Sequence, residues 1–439
     1  MIQLKDNGKK QRNDVKISDD FLNQIANKTL ENFQKEGLFI FPADLSESND
    51  LESSQKILET IGNELQTGNV MGILKRGEEE LFIQSRFDDE NNFFFFYMLE
   101  KVLHFNVTDF MMSARKHNYL NFLVFLFPYY LNKALTKGIY KEYRHFHYND
   151  ANIRGRIDVN RFLKEDLPFI GKIAYDTRER SSENAVIHLV RYTIDFLKKK
   201  GYDKLWLSDK TSRENVDIIV QNSQNYQKKS LSQILLTNIK KPLRHAYYHE
   251  YRDLQRLCIA ILRRETVMPY QQNQQEVSGF LIDGAWLWEE YLATLLPEFE
   301  HPQNKAGKGG ISVFQKGNGR KVYPDFYNRH SSIVLDAKYK RLETTEKGIA
   351  RGDLFQLISY SYILETRIGG LLFPSNEKGV DNHIGKLNGY GGMLKKWSLL
   401  LPQTSSNYND FVNQIQKSEK VFQEKITKAL TEQVGAEVR

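Results

Sequence analysis

Two runs decide how the second half of this chain is read: Lys321-Val-Tyr-Pro-Asp-Phe-Tyr327 and Ser332-Ile-Val-Leu-Asp-Ala-Lys-Tyr339. Both are strand-like, and Asn328-Arg-His-Ser331 between them is turn text, so the pair predicts an antiparallel hairpin. Ten residues separate Asp325 from Asp336, which brings both carboxylates to one end of that hairpin. Residues two apart on a strand share a face. Asp336 and Lys338 therefore point the same way, and we expect them to face one pocket with Asp325.

That set suits phosphodiester hydrolysis. The substrate is anionic and resists attack by hydroxide. Hard carboxylate oxygens favour Mg²⁺, or Mn²⁺ in its place, and Mg²⁺ keeps several of its waters. A metal so held polarises a phosphoryl oxygen and generates a nucleophile. An ammonium beside it orients the attacking water and offsets transition-state charge, the role expected of Lys338. Whether Lys338 is itself the base depends on burial that sequence does not show. Asp-x-Lys alone is weak, since Asp14-Val-Lys16 matches it too. The strength lies in Pro324 before the first acid and in Ile333-Val-Leu335 leading into the second. The competing reading is a surface ion pair at 336 and 338 with Asp325 ending a turn.

Working outward, Leu281 to Leu296 predicts an amphipathic helix stopped before Pro297. It carries Glu289 and Glu290, one of which is a candidate third carboxylate; solvated acids are the plainer reading. Asn304 to Gly310 is a Gly- and Lys-rich loop, Ile311 to Gln315 another strand, and Lys316-Gly-Asn-Gly319 a turn. Asp353 to Leu364 predicts a helix on which Gln356 and Tyr360, four apart, share a face. There they reach the metal shell or the DNA backbone, against the plainer reading of a surface Gln and a core Tyr. Gly369 to Pro374 predicts a short buried strand, and Tyr408 to Leu430 an amphipathic helix.

The fold class expected is α/β and multidomain, in three parts. Residues 1–110 form a mixed α/β N-terminal domain. It has helical text at Phe21 to Lys35 and Ser54 to Leu65, and a hairpin of Val70 to Lys75 with Glu80 to Ser85. A helix buried on several sides starts at Phe93. Residues 111–275 form a mostly helical middle domain, with helices at Leu120 to Leu135, Ala185 to Lys200, Val216 to Ser223 and Ala246 to Arg264. Within it, Ile153-Arg-Gly-Arg-Ile-Asp-Val159 is a turn that shows Arg154 and Arg156 to phosphate or a partner, or else a solvated loop. Residues 276–439 form the module that holds the acids and the lysine.

The bulk numbers are permissive. The chain has 439 residues, 40% of them hydrophobic and 12% aromatic, enough for large cores and against disorder as the main state. A net charge of +7 is compatible with a polyanionic partner without requiring one. The single cysteine, Cys258, excludes an internal disulfide or a thiolate zinc cluster, and its apolar neighbours predict a buried thiol. We expect a cytoplasmic protein with no membrane contact. No signal peptide is visible, and the greasiest run, Phe122 to Leu131, is too short to span a bilayer.

Taken in order, several stretches resemble the PD-(D/E)xK nuclease superfamily and, within it, the McrC family of modified-cytosine-dependent restriction systems. They are Gly138-Ile-Tyr-Lys-Glu-Tyr143, Ile153 to Val159, Ser182-Glu-Asn184 and Leu287-Trp-Glu-Glu-Tyr291. Tyr323-Pro-Asp325, Asp336-Ala-Lys-Tyr-Lys340 and Asp353-Leu-Phe-Gln-Leu357 complete the series. Ser85-Arg-Phe-Asp88 with the Phe-rich helix is similar to one branch. The resemblance implies a restriction-endonuclease-like C-terminal domain, with Asp325, Asp336 and Lys338 at the catalytic positions and Glu289, ahead of Glu290, as the helix carboxylate. It implies a McrB-type AAA+ GTPase hexamer as partner, bound through the N-terminal and middle regions and stimulated in its GTP hydrolysis. Its substrate would be double-stranded DNA containing modified cytosine. No phosphate loop of the form Gly-x-x-x-x-Gly-Lys-Ser/Thr is present, so this chain is expected to bind no nucleotide. The alternatives are a stand-alone nuclease of a repair or mobile-element system, and a non-catalytic activator of an AAA+ ring.

Overall fold

The computed structural model describes residues 2–35, 38–41, 54–88, 91–103, 119–207, 209–265, 277–302, 310–315, 319–342, 349–379, 383–388 and 392–437. The expected loop at 304–310 and turn at 316–319 lie largely outside these residues. The chain divides into two units, Met1–Tyr119 with Asn273–Arg439, and Leu120–Gln272. The expected boundaries near 110 and 276 enclose nearly the same middle segment. The two flanking segments, expected as separate domains, instead form one unit.

The reason is a strand where a helix was expected. Ser278–Asp283 is extended, and the helix starts only at Gly284. The strand pairs antiparallel with Val70–Arg76 and parallel with Phe39–Phe41. It thereby completes a five-stranded sheet ordered Ile2–Lys5, Glu79–Gln84, Val70–Arg76, Ser278–Asp283, Phe39–Phe41. The apolar run Phe280-Leu-Ile282 fits a strand buried on both faces as well as it fits a helix, and periodicity alone cannot separate the two. The expected hairpin of Val70 to Lys75 with Glu80 to Ser85 is present, its strands running Val70–Arg76 and Glu79–Gln84. The helical reading of Ser54 to Leu65 is overturned, because Leu58–Ile61 and Glu64–Thr67 pair as antiparallel strands about a turn at Gly62.

The same unit contains a second five-stranded sheet, ordered Phe326–Asn328, Ile333–Ala337, Ile368–Ser375, Met393–Leu400, His383–Lys386. Ile333–Ala337, Ile368–Ser375 and Met393–Leu400 run parallel, and the outer strands are antiparallel to their neighbours. The last two strands were not anticipated. Val334, Leu371, Phe373 and Leu394 bury one face together with Leu357 and Tyr360 of the helix Arg351–Ile363. The helix Gly284–Leu295 sends Trp288 Nε1–H to the Leu372 carbonyl at 3.4 Å. The C-terminal helix, Tyr408–Glu437, is held by Glu419. This buried carboxylate accepts from Tyr97 and Tyr291 hydroxyls at 2.9 and 2.6 Å. Tyr97 belongs to the Phe-rich helix Phe93–Leu103, which is buried on several sides as expected.

The other unit is helical, with one addition. Its helices include Tyr119–Leu135, Ala185–Lys199, Lys210–Gln221 and Glu250–Glu265. Asn184 caps the second of these through Val186 and Ile187 N–H and donates to the Tyr140 carbonyl. The addition is a three-stranded antiparallel sheet of Glu142–Asp150, Ile173–Ser181 and Arg156–Ile157. Gly155 precedes its short edge strand, and a Cβ there would lie 2.1 Å from the Asp176 carbonyl oxygen. The Ile153-to-Val159 segment therefore needs glycine for close backbone approach. Among the described residues no helix is long and apolar enough to cross a membrane.

Candidate active site

The hairpin places its acids opposite one another. Phe326 pairs with Leu335, so Asp325 and Asp336 face each other one step further on. Asp325 Oδ2 accepts the Ala337 N–H at 2.7 Å, which fixes the first acid to the strand carrying the second. Asp336 is 1% exposed and sits near the carboxyl end of its strand. Lys338, two residues on, places Nζ 2.8 Å from Asp336 Oδ2 and 3.8 Å from Asp353 Oδ1. The three groups expected to converge do so, at the carboxyl edge of a parallel sheet, where open α/β sheets bind ligands.

Their electrostatics are uneven. Burial, and then the negative charges of Glu289 and Asp336, hold the Asp325 carboxyl well above its ordinary range, against the Ala337 N–H and Lys338. Burial also raises Asp336, although the Lys338 ammonium and a hydrogen bond with Asp325 oppose it. Burial pulls Lys338 down, but Asp336, Asp325 and Asp353 outweigh it and hold the ammonium charged. In this metal-free arrangement the lysine is held as a positive charge by the acids around it.

Gln356 joins this group through Lys338. Its Oε1 accepts from Lys338 Nζ at 3.1 Å, and its Nε2 donates to the Tyr360 hydroxyl at 2.6 Å. Tyr360 in turn donates to the Tyr323 carbonyl at 3.0 Å. The two helix residues thus close a ring from the lysine back to the residue before Pro324. The shared face was anticipated; this use of it was not.

Glu289 comes to the site by way of a residue that sequence reasoning missed. His301 Nδ1 donates to the Asp325 carbonyl at 2.8 Å, and its ring stacks on Phe326 with centroids 4.7 Å apart. Its Nε2 is 3.9 Å from Glu289 and 3.8 Å from Glu290. Burial pulls its pKa down, but the Glu290 contact, the Asp325 carbonyl and the two carboxylate charges outweigh it, and the ring is held more basic than usual. No motif marked His301; its one signal was a titratable residue between the helix and the first strand. Asp353 and Lys340 were also not assigned a role. They pair with each other beside Lys338.

Hard oxygen donors fit a divalent cation here. Two opposed carboxyls share a hydrogen bond where a cation would otherwise neutralise them. Asp336 Oδ2 is buried and lacks a properly directed hydrogen bond. Among the described residues no three His, Cys, Asp or Glu side chains form a ready-made cage. Mg²⁺ does not require one, since one or two carboxylates and water commonly suffice.

The fold and this constellation describe a mixed α/β protein with an acid pair and a charged lysine at a sheet edge. The chain belongs to the McrBC 5-methylcytosine restriction system component family, whose model matches residues 65–374. That span contains Glu289, Asp325, Asp336, Lys338 and Gln356. No curated protein matches the chain. Among solved structures it is similar to a chain of the half-complex from the tetradecameric assembly of Thermococcus gammatolerans McrB AAA+ hexamers with bound McrC. The identity is 16%, the coverage 97% of this chain and 99% of that one, and the TM-score 0.50. A chain of the cryo-EM structure of the Thermococcus gammatolerans McrBC complex matches at 16% identity over 67% of this chain and 87% of that one, with a TM-score of 0.32.

Proposed function

We propose that this chain is the DNA-cleaving subunit of a McrBC-type restriction system, with a PD-(D/E)xK site built from Asp325, Asp336 and Lys338. The observation that carries the reading is the acid pair opposed across two strands with a charged lysine 2.8 Å from one of them. Asp325 and Asp336 would hold Mg²⁺, with Glu289 reaching it directly or through water. The bound cation supplies Lewis acidity toward a phosphoryl oxygen. Lys338 stays protonated, so it stabilises charge gathering on the phosphoryl oxygens and orients the attacking water rather than taking its proton. Gln356 and Tyr360 hold the lysine in place. His301 sets the backbone of Asp325 against the helix that carries Glu289.

The partner we infer is a McrB-type AAA+ GTPase ring, as in the similar assembly from Thermococcus gammatolerans. One surface supports this. In the helical unit, Val159, Leu163, Leu167, Phe169 and Ile170 are each more than half exposed and crowd into twelve residues of sequence. Clustered exposed apolar groups mark interaction surfaces. GTP chemistry would belong to the ring, and this chain would stimulate it and cut double-stranded DNA containing modified cytosine.

The test separates the two roles. Asp336→Ala should still stimulate GTP hydrolysis by the ring and should no longer cut DNA. Loss of both, or retention of cutting, contradicts the assignment.

A further inference from the structure

Three side chains meet the Lys338 ammonium, whose N–H donors also number three. Asp336 Oδ2 lies 2.8 Å from Nζ, Gln356 Oε1 accepts at 3.1 Å, and Asp353 Oδ1 is 3.8 Å away. Asp353 is buried and stands in the first turn of the helix Arg351–Ile363, ahead of Gln356. Its second oxygen, Oδ2, accepts from Lys340 Nζ. One buried carboxylate is thus shared by two lysines of the same segment. Tyr339, between them, is engaged elsewhere, with its hydroxyl on Ser85.

We propose that Asp353 is a positioning residue for Lys338 and is itself kept in place by Lys340, a reading that rests on the proposed nuclease function. Three features carry it. First, a cation on Asp336 shares that carboxylate with Lys338. Asp353 and Gln356 are the contacts of the ammonium that the proposed metal site does not claim, and of the two only Asp353 is charged. Second, Lys340 occupies the oxygen that Lys338 does not. Turning Asp353 toward the acid pair would break that contact, so Lys340 keeps a further carboxylate from competing for the cation. Third, the helix alone does not explain the acid. A carboxylate in a first turn ordinarily answers the positive end of the helix, and an exposed one suffices for that. Asp353 instead is buried, with each oxygen given to a lysine of the segment that follows Ile333–Ala337.

The test compares Asp353→Asn, Lys340→Ala and the double variant in the full-length chain, scoring cleavage of duplex DNA carrying methylated cytosine with the GTPase ring present. Asp353→Asn should lower kcat roughly 10- to 100-fold, the scale of a misplaced catalytic group, and leave KM for DNA near the wild-type value. Lys340→Ala should lower kcat less. It should add nothing in the Asp353→Asn background, because the lysine acts through the acid. Two measurements without turnover accompany the kinetics. Mn²⁺ titrated onto the DNA-free chain should bind Asp353→Asn as tightly as wild type; a fall of about tenfold makes Asp353 a metal ligand and overturns the proposal. Duplex binding in chelator should be unchanged in Lys340→Ala; weaker binding, equal in both backgrounds, makes Lys340 a DNA contact and also overturns it. An unchanged kcat in Asp353→Asn, with only a lowered melting temperature, makes the acid a structural residue of its helix. Cutting that depends on Asp336 but not on Asp353 removes this inference and leaves the nuclease reading intact. A wild-type chain that does not cut removes both.

Discussion

Ser85 Oγ and Tyr339 OH lie 2.6 Å apart, both buried, joining residues 254 positions apart in sequence. Through this contact the N-terminal sheet positions the strand that carries Asp336. Tyr339 follows Lys338, its ring meets Phe87 at 5.2 Å, and Arg86 stacks on it while pairing with the buried Asp6. Asp88 then caps the Phe-rich helix through Phe94 and Phe95 N–H. The stretch Ser85-Arg-Phe-Asp88 is thus four residues with four separate jobs. Tyr339→Phe strands a buried hydroxyl and should cost about 1–2 kcal/mol in denaturant unfolding. Ser85→Ala added to it should cost much less than Ser85→Ala alone, and strictly additive effects would show that the two hydroxyls do not act as a pair.

Asp325 should be a residue the fold tolerates rather than wants. Its carboxyl is held above the ordinary range, so the native state favours the protonated form. The stability linked to that proton is complete below the unfolded pKa, near 4, and is lost as pH rises through the folded value. Asp325→Asn keeps an acceptor for the Ala337 N–H and does not titrate. In the absence of divalent metal it should therefore match wild type in acid and exceed it at neutral pH. It should also cut no DNA. Thermal melts at pH 4 and pH 7.5 check the first part; a variant less stable than wild type at pH 7.5 would contradict it.

His301 should act on metal affinity rather than on folding. Groups that orient metal ligands typically contribute 10- to 100-fold in affinity. His301→Ala should raise the Mg²⁺ concentration needed for half-maximal cleavage by about tenfold, with an unchanged circular dichroism spectrum. His301→Asn, which can still donate to the Asp325 carbonyl, should recover part of the loss. An unchanged metal requirement in His301→Ala would remove it from the site.

Cys258 should be silent in the native protein. It is fully buried, and burial pushes its thiol up to about 12. A thiolate-directed reagent at pH 8 should label it only after unfolding, since the thiolate is the reactive form. Rapid labelling of folded protein would mean that its helix, Glu250–Glu265, opens readily.

The site was legible because its signal is local. Asp325, Asp336 and Lys338 lie on two strands joined by a short turn, so spacing alone brings them together. Gln356 and Tyr360 were legible as a pair for the same reason, on one helix. What sequence reading missed depends on contacts between distant segments. His301 reaches Asp325 and the acids of Gly284–Leu295 only after folding, and nothing in its immediate neighbours marks it. Leu281–Asp283 read as the start of a helix because a run buried on both faces has no period. The paired strands Glu142–Asp150 and Ile173–Ser181 were missed for the opposite reason. Glu-Tyr-Arg-His-Phe-His-Tyr and Thr-Arg-Glu-Arg are too polar to show an apolar stripe, although nine residue pairs join them.

The claim that Asp325 and Asp336 hold a divalent cation is tested most directly by locating one. Crystals soaked in Mn²⁺, which takes the oxygen ligands of Mg²⁺, should show an anomalous peak roughly 2 Å from a carboxylate oxygen of each residue, with Lys338 nearby but not ligating. That peak should vanish in Asp336→Ala. No peak between the two carboxylates at saturating Mn²⁺, or one that persists in the variant, would contradict the account.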